Sequence, residues 1–138
     1  MSQCKGIAFA LPAHQIHSQC FKNPWSEKEF ADLLVLPTTR LWMDEVGLLM
    51  CSCVSDEMEI LTFGIIPQKR RQGLGQKMLD TMFKYAQENE IHKIFLDVAE
   101  DNIPAIQLYE KMGFQKINLR QGYYDNGHVN ALIYVKVI

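Results

Sequence analysis

A glycine-containing turn lies between an apolar strand and an amphipathic helix near the middle of the chain. The run "MEILTFGII" ends at Pro67, basic residues follow, Gly73 and Gly75 stand two apart, and a helical stripe begins at Met78. Glycines allow a tight turn with outward-pointing backbone amides, and a helix N-terminus carries the positive end of the helix dipole. The stretch "PQKRRQGLGQKML" therefore predicts a strand–turn–helix unit that binds an anion.

Two common phosphate-binding motifs do not match this turn. The dinucleotide fingerprint requires a third glycine three residues after Gly75, where Met78 stands, and the P-loop requires Gly-Lys followed by Ser or Thr. What remains is the pattern Arg70-x-x-Gly73-x-Gly75. A Gly-x-Gly pair alone is also compatible with a plain tight turn whose basic side chains, such as those of Lys69 and Arg70, are only solvated.

The positive charge of this turn is local. The chain has 14 Lys and Arg against 16 Asp and Glu, a net charge of -2, which favours neither a nucleic-acid nor a membrane partner. Four of those cations fall in the turn, as a small anionic ligand requires: Lys69, Arg70, Arg71 and Lys77. No apolar run approaches the ~20 residues of a membrane span, and the N-terminal apolar stretch is short for a signal peptide. We expect a cytoplasmic protein.

The length of the chain predicts one domain, residues 1–138. Hydrophobic periodicity predicts four helices and six strands within it. The strands and helices occur in a mixed order, with antiparallel hairpins and a central strand–helix–strand–helix unit. This order predicts an α+β or mixed α/β domain on one central sheet. The predicted helices are "LPAHQIHSQCF", "PWSEKEFADLL", the stripe after the glycines, and "NIPAIQLYEKMGF"; the predicted strands are "TRLWM", "GLLMCSCV", "MEILTFGII", "IHKIFLDV", "FQKINLRQGYY" and "HVNALIYVKVI".

Three local patterns give finer expectations. Ser26 and Glu29 have the spacing of a capping box at the start of the second helix. The strand "IHKIFLDV" is nearly all apolar, which is typical of a strand covered on both faces. The last strand is expected to alternate, with these side chains inward: Val129, Ala131, Ile133, Val135 and Val137.

The cysteines and histidines predict neither disulfides nor a metal site. In a reducing cytoplasm disulfides are not expected among the four cysteines, Cys4, Cys20, Cys51 and Cys53. Cys51 and Cys53, two apart in a strand, are expected to face the same way. His14, His17 and Cys20 form a loose string without a fourth ligand at familiar zinc spacing.

Six segments together resemble one family over about residues 23 to 135: "NPWSEKEF", "RRQGLG", "LDVAEDN", "AIQLYEKMGF", "GYYDNG" and "ALIYV". Their order is similar to that of the GNAT acetyltransferases, and more narrowly of the RimI-type N-terminal acetyltransferases. The resemblance implies a central, mostly antiparallel twisted sheet flanked by helices. It also implies transfer of acetyl from acetyl-CoA to the α-amine of a ribosomal protein that begins with alanine, by a monomer or weak dimer.

The resemblance implies two sets of residues that bind acetyl-CoA. The strand Phe63, Gly64 and Ile65 would offer backbone groups to the pantetheine arm and one N–H to the thioester carbonyl. The amide of Asn102 would touch the pantetheine, although the residue also stands where a helix cap is expected. The pyrophosphate would be lined by Arg71, Gln72, Gly73, Leu74, Gly75 and Gln76.

The resemblance also implies the catalytic groups. Tyr109, which is a core aromatic by its pattern alone, would be the acid that protonates the departing thiolate. Asp97 would be the base, although RimI-type enzymes typically have Glu there; the shorter side chain implies a bridging water. Glu100 is the alternative base, and Tyr123 and Tyr124 would shape the peptide entry.

The basicity of the two kinds of protein amine indicates which one is the acceptor. A free N-terminus has a pKa of ~7.7–8.0 against ~10.4 for lysine, so a weak or water-relayed base suits it better. The stretch "HVNA" lacks an acidic residue often found there in RimI-type enzymes, so the peptide preference is less defined than the chemistry. Two other functions fit the same motifs: an acetyltransferase for small-molecule amines, and an acyl-CoA-binding module without catalysis. A nucleic-acid binder has only the charge cluster in its favour.

Overall fold

The computed structural model describes residues 2–138. Its helices and strands follow the predicted order, with three short 3-10 helices at Ile7–Phe9, Pro67–Lys69 and Asp125–Gly127. The four α-helices are α1 (Ala10–Cys20), α2 (Glu27–Leu34), α3 (Leu74–Glu88) and α4 (Ile103–Lys111). The six strands are β1 (Thr39–Met43), β2 (Gly47–Val54), β3 (Glu57–Ile65), β4 (Lys93–Ala99), β5 (Gln115–Tyr124) and β6 (Val129–Val137).

All six strands form one sheet in the order β1-β2-β3-β4-β6-β5. Only β3 and β4 are parallel, because α3 connects them as a crossover; the other neighbours are antiparallel. The expectation of a mostly antiparallel sheet flanked by helices is confirmed.

Helices cover the two faces of the sheet at different places. On the face that we call the α3/α4 face, Leu79 and Met82 of α3 pack with Ile94 and Leu96 of β4. On the opposite, α1/α2 face, a second cluster joins Phe30 of α2 to buried residues of α1, β1 and β2, namely Ala10, Ala13, Leu41, Leu48 and Met50. Within residues 2–138, no helix is both long and apolar enough to span a membrane.

The second helix begins with the predicted capping box. The Glu29 N–H donates to the Ser26 hydroxyl at 3.1 Å, and the Ser26 N–H donates to the Glu29 carboxylate at 2.8 Å. These two bonds satisfy amides that have no partner inside the helix. The position at which α2 begins is therefore determined by residues that are close together in the sequence.

A β-bulge changes the direction of β3. In its pairing with β2, Met50 lies opposite Thr62 and Cys51 lies opposite Ile60, so Leu61 is an extra residue. A bulge reverses which side chains face each side of the sheet and bends the strand. Pairing with β4 stops at the same place, since the last pair is Ile60 with Leu96. Beyond the bulge, β3 and β4 diverge and leave a gap, which we call the β3–β4 gap.

Two expectations about strand burial are wrong. In β4, Ile94, Leu96 and Val98 are buried but Phe95 and Asp97 are partly exposed, because the α1/α2 face is open at this strand.

In β6 the predicted inward set is not the buried one. Of that set only Ala131 is fully buried, and Val137 is 70% exposed. Leu132 and Tyr134 point into the α3/α4 core instead. Apolar side chains occupy both sides of this strand, so alternation alone does not identify its core face. The shared orientation of Cys51 and Cys53 is confirmed, since both contact the α3/α4 core.

Candidate active site

The β3–β4 gap is open at the carboxyl ends of the two strands. The residues of β3 beyond Ile60 have β2 on one side but no β4 partner on the other. The helices that follow the two strands, α3 and α4, both begin at this end. Crevices at the carboxyl ends of parallel strands are the usual ligand sites of such sheets. The predicted residues Phe63, Gly64 and Ile65 lie on this stretch of β3, which pairs with β2 but not with β4.

The predicted anion-binding turn forms the entrance to α3. Arg71 and Gly73 have positive φ values of 63° and 76°, and Gly73 is the N-cap of α3, without a side-chain cap. A Cβ atom built on Gly73 would meet nothing within 4 Å. The first amides of α3 therefore face open space, which is the arrangement that binds phosphate groups at helix N-termini.

The other predicted residues of the turn lie on both sides of Gly73. Arg71 and Gln72 are exposed ahead of the helix, and Leu74, Gly75 and Gln76 form its first turn and are half-buried. Gly75 has a packing role as well: a Cβ there would lie 3.2 Å from the ring of Phe63 and 3.3 Å from Leu108. The missing side chain lets α3 approach β3 and α4 closely.

The side chain of Arg70 is not merely solvated. Its Nε donates to the carbonyl of Ile65 at 2.8 Å, and one terminal nitrogen donates to the carbonyl of Cys20 at 3.2 Å. Arg70 thus ties the turn to the end of β3 and to the end of α1. One of the four clustered cations is therefore structural, and the interpretation of the cluster as only a ligand site or a solvated face was incomplete.

Tyr109 lies in α4 against the α3/α4 side of the gap. Its side chain is 7% exposed, and its ring centroid is 6.3 Å from that of Phe63 and 5.7 Å from that of Phe114. Burial is the main cause that raises its pKa far above the ordinary value, with smaller contributions from Cys51 and Tyr124. The phenol therefore keeps its proton throughout the neutral range, as a proton donor must.

Asn102 is the N-cap of α4. Its side-chain oxygen accepts a hydrogen bond from the Ala105 N–H at 3.4 Å. The residue is exposed, and this cap leaves the two N–H donors of the amide group available. The residue can cap the helix and donate to a ligand at once.

A cleft of about 560 Å³ opens on the α1/α2 face of the sheet. Asp97 of β4 lies in its wall with a side chain that is 24% exposed, and one Arg120 nitrogen is 3.5 Å from its carboxylate. The Arg120 guanidinium also lies 4.9 Å from the centre of the Tyr123 ring. The cleft is lined by His17, Phe21, Asn23, Trp25, Leu33, Glu59, Ile60, Leu61, Thr62, Asp97, Tyr123 and Tyr124.

The two tyrosines predicted at the peptide entry form one wall of this cleft. Their rings meet edge to face, with centroids 4.9 Å apart. Burial, followed by the charge of Asp97, raises the pKa of Tyr124 to about 12. The structure thus places Asp97, Tyr123 and Tyr124 together on one face, while Tyr109 approaches the gap from the other.

Glu100 lies outside this cleft. The residue is exposed, and its carboxylate accepts bonds from the backbone and side-chain nitrogens of Asn130 at 3.4 and 3.3 Å. The Asn130 side-chain oxygen accepts from the Gly122 N–H at 2.9 Å, in the irregular part of β5. Glu100 therefore supports the segment that carries the two tyrosines, and its position outside the cleft does not suit the role of a base.

The sequence analysis missed the role of His17. The residue is 3% exposed. Its ring is tilted against that of Phe21, with centroids 4.3 Å apart, and stacks with that of Trp25, with centroids 5.2 Å apart. The Trp25 N–H donates to its Nδ1 at 3.0 Å, and its Nε2 is 2.9 Å from the Thr62 hydroxyl. Burial is the main cause that lowers its pKa to about 4. Its helical spacing from His14 and Cys20 invited comparison with a metal site, but no cluster of metal-binding side chains occurs in residues 2–138.

Residues 10–114 match the acetyltransferase (GNAT) family. The chain is 28% identical over 130 residues to the [ribosomal protein bS18]-alanine N-acetyltransferase of Escherichia coli, an alignment that covers 89% of this chain and 88% of that protein.

Solved structures show the same fold. The crystal structure of the ribosomal-protein-S18-alanine N-acetyltransferase from Escherichia coli aligns with a TM-score of 0.89 and 26% identity, over 99% of this chain and 92% of that one. Arabidopsis thaliana NAA60 in complex with acetyl-CoA aligns with a TM-score of 0.81 and 18% identity, over 99% and 100% of the two chains.

Proposed function

Because this chain belongs to the acetyltransferase (GNAT) family, we propose that it transfers acetyl from acetyl-CoA to the N-terminal α-amine of a ribosomal protein that begins with alanine. The bS18-alanine acetyltransferase of Escherichia coli, similar over 89% of the chain, supports this acceptor. The observation that carries the proposal is the β3–β4 gap, with an anion-binding turn at its end and a carboxylate in the cleft on its α1/α2 face. We further propose that the reaction takes place in the cytoplasm.

The residues around the gap fit acetyl-CoA. The open space at Gly73 and the first amides of α3 suit a pyrophosphate. The stretch of β3 formed by Phe63, Gly64 and Ile65 has no β4 partner, which suits the amide groups of the pantetheine arm, and Asn102 can add a side-chain donor. Acetyl-CoA supplies an activated acetyl group as a thioester. The turn that holds its pyrophosphate consists of Arg71, Gln72, Gly73, Leu74, Gly75 and Gln76.

Asp97 is the base in the proposed reaction. An α-amine enters mostly as an ammonium below its pKa of ~7.7–8.0 and must lose a proton before it can attack. The Asp97 carboxylate lies in the cleft and accepts that proton through a bridging water, since its side chain is one methylene shorter than that of Glu. The rings of Tyr123 and Tyr124 line the same cleft and can contact the entering peptide.

Tyr109 is the acid. Its proton is held near the gap from the α3/α4 side, opposite the cleft of Asp97. The raised pKa makes Tyr109 a weaker acid but keeps its proton in place until the thiolate departs. The phenolate left by the transfer then takes a proton back from water. The base and the acid thus act from different faces of the sheet, and neither needs to change roles within one cycle.

Acceptor selectivity tests the proposal directly. We expect acetylation of a short peptide that begins with alanine, and little or none of the same peptide with a blocked N-terminus and an internal lysine. The lysine amine is ~2.5 pKa units more basic and is harder for a water-relayed carboxylate to deprotonate. Mass spectrometry of both peptides after incubation with acetyl-CoA gives the result. Equal acetylation of the blocked lysine peptide would contradict the proposed acceptor.

The role of Asp97 predicts a pH-dependent defect. Asp97→Asn keeps the size of the side chain but cannot take a proton. We expect the rate to fall most at pH values below the α-amine pKa of ~7.7–8.0, with a loss that shrinks as the pH rises, because the free amine needs no base. Rates between pH 6 and 9 on the alanine-starting peptide measure this.

Glu100→Gln is the matched control for that series. It removes a carboxylate three residues along the chain that lies outside the cleft, so its pH profile should follow that of the parent. If Asp97→Asn showed the parent profile and Glu100→Gln showed the defect, the base would be Glu100.

A further inference from the structure

A buried histidine holds a threonine hydroxyl at the rim of the cleft on the α1/α2 face, where the acceptor is proposed to bind. His17 is 3% exposed and Thr62 is 9% exposed, yet both line the cleft that contains Asp97. Thr62 follows the bulge in β3, so it belongs to the part of that strand that has left β4. Thr62 and Asp97 therefore form opposite rims of the gap on the same face of the sheet. Neither Thr62 nor His17 takes part in the proposed proton transfers.

The hydrogen bonds of His17 define which ring nitrogen carries the proton. The Trp25 backbone N–H donates to Nδ1 at 3.0 Å, so Nδ1 bears no hydrogen. The ring is neutral in the neutral pH range, since burial lowers its pKa to about 4. Its one hydrogen is therefore on Nε2, which donates to the Thr62 oxygen at 2.9 Å.

That bond directs the remaining hydrogen of Thr62. A hydroxyl group has one hydrogen and two lone pairs, and one lone pair is occupied by His17. The hydroxyl hydrogen must then point away from the imidazole. Among residues 2–138 no acceptor takes that hydrogen, and the side chain faces the cleft. The hydroxyl is thus a hydrogen-bond donor held ready at the acceptor site.

We propose that Thr62 donates a hydrogen bond to the first carbonyl oxygen of the acceptor peptide, and that His17 is the positioning residue for this hydroxyl. The inference rests on the proposed function. An α-amine and the first carbonyl are separated by a single carbon atom, so a peptide whose amine reaches Asp97 presents that carbonyl to the facing rim. The ε-amine of lysine has no such carbonyl. Thr62 therefore contacts the carbonyl group that distinguishes an N-terminus from a lysine side chain.

Thr62→Val and Thr62→Ser form the matched pair that tests the contact. Valine keeps the shape and loses the hydroxyl, and we expect the KM for the alanine-starting peptide to rise about three- to tenfold, the range for one lost hydrogen bond. The kcat and the KM for acetyl-CoA should stay at the parent values. Serine retains the hydroxyl and should restore the peptide KM.

A modified peptide tests the same contact without changing the protein. Its first peptide bond is replaced by an (E)-alkene, which keeps the shape but removes the carbonyl oxygen together with the N–H of the second residue. With the parent protein we expect its KM to exceed that of the normal peptide about three- to tenfold. Thr62→Val should add no further increase, because both changes remove one interaction. Equal KM values for the two peptides with the parent protein would overturn the inference.

The part played by His17 is tested by combining substitutions. His17→Phe keeps an aromatic ring and removes both nitrogens. His17→Phe should raise the peptide KM when Thr62 is present and should have no effect when it is combined with Thr62→Val. If His17→Phe still raised the KM in the Thr62→Val variant, His17 would not act through Thr62. A parent protein that acetylates neither peptide would contradict the proposed function itself, whereas an active parent with an unchanged Thr62→Val variant would contradict only this inference.

Discussion

Tyr109→Phe should lower the turnover of the alanine-starting peptide by about 10²–10⁴-fold and leave the thermal stability close to that of the parent. The substitution keeps the ring that packs against Phe63 and Phe114 and removes only the proton-bearing oxygen. That oxygen makes no hydrogen bond within residues 2–138, and it is not cut off from solvent, since no fully buried polar side-chain atom there lacks a partner. The folded state therefore loses little. Because the raised pKa keeps Tyr109 protonated from pH 6 to 9, the deficit should be constant over that range. Steady-state rates and a melting curve measure both effects.

Tyr134→Phe is the matched control. Tyr134 is 1% exposed in the same core, and its hydroxyl donates to the Glu110 carboxylate at 2.7 Å. Removing this hydroxyl should lower the free energy of unfolding by about 1 kcal/mol and leave turnover near the parent value. The reverse outcome, in which Tyr109→Phe melts early but retains its turnover, would make Tyr109 a core residue without a role in proton transfer.

Gly73→Val should abolish detectable binding of acetyl-CoA. A side chain at this position enters the open space ahead of α3, where nothing else in the protein lies within 4 Å. It would therefore occupy the volume assigned to the pyrophosphate without a clash inside the protein. Valine is strained at a φ of 76°, so we also expect a loss of about 1–3 kcal/mol in stability. Isothermal titration calorimetry with acetyl-CoA, below the melting range of the variant, measures the binding.

Gly6→Val is the control that separates the effect of backbone strain from the effect of filling the pyrophosphate volume. Gly6 has a φ of 92°, and a Cβ there would also meet nothing within 4 Å, but the residue lies ahead of α1 and away from the gap. Its destabilisation should be at least as large, because Gly6 has a ψ of 165°, a backbone region that is essentially restricted to glycine. Its affinity for acetyl-CoA should be unchanged. If Gly73→Val bound acetyl-CoA as tightly as the parent, the assignment of the turn to the pyrophosphate would be wrong.

Local patterns were sufficient to predict most of the fold. The capping box at Ser26 and Glu29, the glycines before α3 and the proline at the start of α4 are each recognised within a few residues of sequence. The gap was not predictable, because it depends on a single extra residue, Leu61, within an apolar run. Nothing in "MEILTFGII" marks a bulge, since apolar residues there suit either face of the sheet.

The parts of the candidate site that were missed depend on residues distant in sequence. His17 meets Thr62 across 45 positions, and Arg70 meets Cys20 across 50. A histidine in a helix carries no local sign of its partner on a strand. The sequence analysis could place Asp97 and Tyr109 only through family resemblance. The pattern correctly identified Tyr109 as a core aromatic, but it gave no indication that Glu100 would lie outside the cleft.

The gap that begins at Leu61 also affects how such a chain can evolve. The donor would be held by the turn at Gly73 and the acceptor by residues of α1, the α1–α2 connection and the β5–β6 hairpin. Under the proposed function, substitutions near Trp25 or Tyr123 would change which amine is modified without altering the binding of acetyl-CoA. A substitution at Gly73 would affect every acceptor at once. The acceptor side of the sheet could then vary while the turn at Gly73 stays constant. One extra residue, Leu61, would thus separate a surface that can change its specificity from one that cannot.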